Sequence, residues 1–82
     1  MKTYSFTLTL GGVDLLTPEM GDALERAGCD DATMSSRDGV VSIAFDRESD
    51  SLGKAIGSAV EDIERAGYRV AAVHVESPLA AV

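Results

Sequence analysis

The chain has no tryptophan, and Tyr4, Phe6, Phe45 and Tyr68 are its only aromatic residues, so Leu, Ile, Val, Met and Ala must fill its interior. A single cysteine, Cys29, excludes an internal disulfide, a C-x-x-C redox pair and a zinc-ligand set. It is expected to be a small buried apolar residue beside a helix end. No stretch approaches the roughly 20 apolar residues that span a bilayer. The N-terminal MKTYSFTLTL alternates where a signal peptide would run continuously apolar. A cytoplasmic location is therefore the expectation. Positive charge is scarce: 7 Lys and Arg stand against 14 Asp and Glu, a formal net charge of -7. A field of that sign repels phosphate backbones, so this segment is not expected to bind nucleic acid directly; it suits solubility or a basic partner.

What is present suffices for one domain. A chain of 82 residues hides only roughly 60% of its unfolded surface and has little stability to spare. Its 45% hydrophobic and 26% charged residues are ordinary globular values. The longest periodic stretch, Asp50 to Tyr68, predicts a helix. Leu52, Ile56, Ala59, Val60, Ile63 and Ala66 share one face, Lys54, Ser58, Glu61, Asp62 and Arg65 the other. Asp50 or Ser51 can cap its start, and Gly67 can take the left-handed conformation that ends it.

Thr3 to Leu10 alternates as a strand with Tyr4, Phe6, Leu8 and Leu10 on one face and Thr3, Ser5, Thr7 and Thr9 on the other. After Gly11-Gly12, Thr17-Pro18-Glu19 opens a first helix carrying Met20, Ala23, Leu24 and Ala27 inward and closing at Gly28. Asp30 to Ser36 reads as an edge strand with Ala32 and Met34 inward. Asp38-Gly39 is a two-residue hairpin signal, so Val40 to Asp46 folds back antiparallel with Val41, Ile43 and Phe45 inward. In the last strand, Arg69 to Glu76, Val73 and Val75 are expected inward and His74 and Glu76 outward, with a bulge around Val70-Ala71-Ala72. The order is β-α-β-β-α-β. It predicts an α+β, ferredoxin-like sandwich: a four-stranded antiparallel sheet with two helices on one face, the first and third strands central. Residues 1–76 form that single domain, and 77–82 read as a tail or the start of a linker.

No catalytic, cofactor or metal motif emerges. Asp46-Arg47-Glu48-Ser49-Asp50 spaces its acids like a calcium loop, but Ser51 and Gly57 stand where that loop needs glycine and a bidentate glutamate. It reads as a solvated loop and helix cap. Gly11-Gly12 lacks the remainder of any phosphate loop. Gly53 and Gly57, one turn apart, suggest close contact with the sheet, the other helix or a partner, with packing inside the molecule the favoured reading. An RNA-binding sheet of this topology would show aromatics on its open face, whereas here that face is rich in threonine and serine. The outward row Ser5, Thr7, Thr9, Ser42 and His74 is the candidate interface, because small side chains let another surface approach closely.

Four segments, YSFTLTL at Tyr4 to Leu10, ALERAGCDDA at Ala23 to Ala32, FDRESDS at Phe45 to Ser51 and AIGSAVEDI at Ala55 to Ile63, resemble the N-terminal domain of small bacterial DNA-binding regulators. In that group an excisionase-like helix-turn-helix segment begins just after the last strand, where this chain ends at Val82, so the resemblance implies either an excised N-terminal domain or a stand-alone version of it. It assigns DNA binding to no residue present. The function it implies is a non-enzymatic interaction or dimerisation domain of a small bacterial transcription regulator or antitoxin-like protein, with a protein partner or a homodimer. The alternative is a small-molecule-sensing regulatory domain using the loop Gly11 to Leu16.

Overall fold

The protein's structure, a computed structural model, describes residues 1–75; the expected outward Glu76 and the tail 77–82 lie outside the described residues. Strict alternation makes Lys2–Gly11 a strand, β1, with Phe6, Leu8 and Leu10 buried and Thr7 and Thr9 only half-buried. Thr17 then accepts a hydrogen bond from the Met20 N–H at 3.3 Å, and Pro18 occupies the first turn of helix α1, Pro18–Arg26. Strand β2, Ala32–Arg37, turns through Asp38-Gly39 into β3, Val40–Ser49. Both turn residues have positive φ, 54° and 78°, the pairing that a two-residue hairpin twist requires. Helix α2, Leu52–Arg65, is capped by Ser51, whose hydroxyl accepts from the Lys54 N–H at 3.2 Å, and β4, Arg69–Val75, completes the chain of elements.

The sheet order is β2-β3-β1-β4, every neighbouring pair antiparallel, as the split βαβ arrangement predicts. Met20 and Leu24 of α1 and Ala55, Ala59 and Ile63 of α2 join one core with Phe6, Leu8, Leu10, Val41, Ile43 and Phe45, so both helices cover the same face of the sheet. Between Thr9 and Leu10 the register slips, Thr9 facing Ala72 and Leu10 facing Val70, which leaves Ala71 as the bulged residue.

Four features differ from the sequence reading. The third strand does not stop at Asp46 but runs to Ser49, so Asp46-Arg47-Glu48 is strand and not a solvated loop. The deepest positions of α2 are Ala55, Ala59 and Ile63, and Ala55 was not on the expected stripe; two alanines let the helix sit close to the sheet. Gly53 and Gly57 occupy the outer side of α2, where an added Cβ would meet nothing within 4 Å, so no intramolecular packing demands them. Val73 and Val75 pair with Leu8 and Phe6 and so lie on the core side, yet they are 45% and 39% exposed. They belong to an edge strand, and the helix layer stops short of them.

Candidate functional site

Alternation in the strands leaves one face of the sheet without helices, and the register sorts its side chains into rows. The central row is Thr33, Ala44, Thr7 and His74, and beside it lie Ser35, Ser42, Thr9 and Ala72. The five residues singled out from the sequence, Ser5, Thr7, Thr9, Ser42 and His74, therefore share this face, with Thr7 opposite His74 and Thr9 opposite Ser42. Ser5 sits one row further, opposite Asp46, and its hydroxyl donates to Asp46 Oδ1 at 2.6 Å.

Charge at the two ends of this face escaped the sequence reading. Asp46 and Glu48 lie at the end where β1 begins, opposite Ser5 and Thr3. Arg37 and Arg69 lie at the other, opposite Val40 and Gly11. The Arg69 guanidinium crosses Gly11 so closely that a Cβ there would stand 2.8 Å from Nη2. The signal was the alternation continuing through Asp46-Arg47-Glu48, hidden by an acid density that resembles a loop.

The same alternation that turns Glu48 outward turns Arg47 toward the helices, where its side chain is 11% exposed. All five of its N–H donors are used. Nε and Nη2 grip Asp31 at 2.8 and 2.9 Å, Nη2 also donates to the Gly28 carbonyl at 2.9 Å, and Nη1 donates to Ser58 Oγ and Asp62 Oδ2, each at 3.0 Å. Its guanidinium carbon stands 5.0 Å from the Phe45 ring centroid, a cation–π contact. One residue of β3 thus ties the α1–β2 connection to α2. Gly28, at φ 115°, has no alternative in that connection: a Cβ would stand 2.9 Å from the Asp62 carboxylate.

The hydrogen bonds from Arg47 hold the Asp31 carboxyl below its usual value of 3.8, and those to Asp31 raise Arg47 still further. Cys29, buried and near Asp62, is pushed up to about 11, so it is a protonated thiol at neutral pH and no nucleophile. The sign of the Asp31 shift sets a pH dependence. A carboxyl depressed on folding contributes its full stability above the unfolded value, about 3.9, and loses it as pH falls through the folded value. Urea midpoints taken between about pH 5 and pH 2 are expected to fall more steeply for the native chain than for Asp31→Asn; equal slopes would assign the shift no energetic weight.

Among the described residues no group of three or more His, Cys, Asp or Glu is placed to hold a metal ion, and no helix is long and apolar enough to cross a membrane. A shallow open groove between the helices is lined by Ala23, Arg26, Ala27, Arg65 and Ala66. Arg65 in it is already bonded to the Ala27 carbonyl at 3.2 Å and to Asp62 at 3.3 Å. No family model, curated protein or solved structure matches the chain.

Proposed function

We propose that the chain is a non-enzymatic interaction domain that docks a protein partner or a second copy of itself through the open face of its sheet. The observation that carries this reading is the register, which assembles hydroxyl and alanine side chains from all four strands, with His74 among them, into one field with opposite charges at its two ends. Short side chains cost little entropy when covered and allow close approach, and paired end charges give orientation. The resemblance to N-terminal domains of small bacterial helix-turn-helix regulators supports a place in a transcription regulator or antitoxin-like protein, and the net charge of -7 speaks against DNA contacts by these residues.

The test is a photo-crosslinking residue placed at Thr7, in the central row, and separately at Glu64 on the exposed side of α2, both expressed in bacterial cells. Thr7 is expected to give a discrete covalent adduct with one polypeptide and Glu64 none. If Thr7 yields no more adduct than Glu64, the open face is not a docking surface and the reading fails.

A further inference from the structure

We infer that the occupant of the open face is a second copy of this chain, packed sheet to sheet about a two-fold axis that lies in the interface and crosses the strands at the row of Ala44 and Thr7. The inference rests on reading that face as a docking surface and names its partner.

The face is self-complementary about that row. Along β3 the outward positions are Val40, Ser42, Ala44, Asp46 and Glu48. A two-fold axis across the strands at Ala44 superposes Val40 of one copy on Glu48 of the other, and Ser42 on Asp46. Arg37, which pairs with Val40, then meets the acidic end of the second copy, and Arg69 adds charge of the same sign at that end. An axis along the strands would instead lay acidic end on acidic end and basic end on basic end, so like-charge repulsion selects the crossed-end arrangement. Packed sheets lie about 10 Å apart or closer, a gap an arginine and a carboxylate bridge together, and the rows between carry hydroxyl and alanine side chains except for His74 on the edge strand β4, which this axis sets against its own copy at the rim.

Area sets the strength. Four strands by eight residue rises give a face of roughly 19 Å by 26 Å, so two copies bury on the order of 1,000 Å² in total, the lower limit of specific interfaces. A weak, reversible dimer is the result. The net charge of -7 on each copy opposes association at low salt, and physiological salt, with a Debye length of about 8 Å, screens most of it.

Sedimentation velocity of the full chain near physiological salt tests this. The mass is expected to rise with concentration from one chain to two across the micromolar range. R37E+R69E makes the face wholly acidic and D46K+E48K makes it wholly basic; each alone is expected to weaken self-association at least tenfold. An equimolar mixture of the two is expected to recover a dimer, because opposite ends again meet. Thermal midpoints confirm that each variant is folded, and Thr7→Arg, which puts a long charge on the axis, is an independent variant expected to be monomeric. A native chain that stays monomeric at every concentration overturns the inference, as does a dimer indifferent to both reversals or a mixture that remains monomeric. If Thr7 crosslinks a different protein while the chain sediments as a monomer, the second-copy inference falls and the docking reading stands; if Thr7 crosslinks nothing, both fall.

Discussion

Arg47→Ala is expected to cost the fold about 3 kcal/mol, a quarter or more of the about 4–12 kcal/mol that chains of this size hold in all. The guanidinium itself is less important than what it leaves behind. Asp31, whose side chain is 30% exposed, loses its counter-charge, Asp62, 14% exposed, keeps only Arg65 at 3.3 Å, and the Gly28 carbonyl and Ser58 hydroxyl lose a donor. Breaking a buried pair on one side costs about 3–5 kcal/mol, and the partial exposure of Asp31 places this case at the low end. Lysine is not expected to rescue, since one ammonium offers three donors from a point and cannot grip Asp31 with two nitrogens while reaching α2. Arg47→Met combined with Asp31→Asn and Asp62→Asn is expected to recover part of the loss, because no carboxylate is then left uncompensated. Urea unfolding of the three variants reads all of this. A midpoint for Arg47→Ala within about 0.5 kcal/mol of the native value would show that the network contributes nothing.

The second large effect lies one residue pair deeper. Phe45→Ala is expected to destabilise by about 4 kcal/mol, the range for emptying a buried phenylalanine site. Phe45 is 1% exposed and directly opposite Phe6, their rings stacked at 5.4 Å with planes 14° apart. With no tryptophan and few aromatics elsewhere, no neighbouring ring can swing in to refill the space. Phe45→Leu keeps most of the volume and is expected to lose about 1 kcal/mol, the worth of the ring stack and of the face under Arg47. A double-mutant cycle separates those two parts: in an Arg47→Met background the cost of Phe45→Leu is expected to shrink by about 0.5 kcal/mol. Additive costs would deny that the guanidinium draws on the ring.

Both effects centre on a stretch whose sequence concealed its role. Tyr4 to Leu10 announces a one-faced strand because alternation of two residue classes has a single structural meaning, and Thr17-Pro18 and Ser51 mark helix starts through chemistry local to one turn. Asp38-Gly39 is equally local, since few residues besides glycine, asparagine and aspartate accept positive φ. The DRES run at Asp46 to Ser49 is different. Its alternation is of charge rather than of polar with apolar, so nothing within it tells which side is buried. Only contact with Asp31 and Asp62, 16 and 15 residues away, makes Arg47 an interior residue.

The candidate site divides in the same way. Thr7, Thr9 and Ser42 were readable as outward residues from their own strands, but their grouping with Arg37 and Arg69 at one end and Asp46 and Glu48 at the other depends on strand register. By itself the sequence determined the element order, the hairpin, the helix caps and which side of each strand is apolar, because those follow from steric and hydrogen-bonding preferences a few residues long. The tertiary structure alone decided that a charged arginine is largely covered, that two helix glycines face open space, that edge valines stay half-exposed and that the free face is charged oppositely at its ends. Each of these depends on which distant residue stands opposite, and a linear chain does not specify that until the sheet has formed.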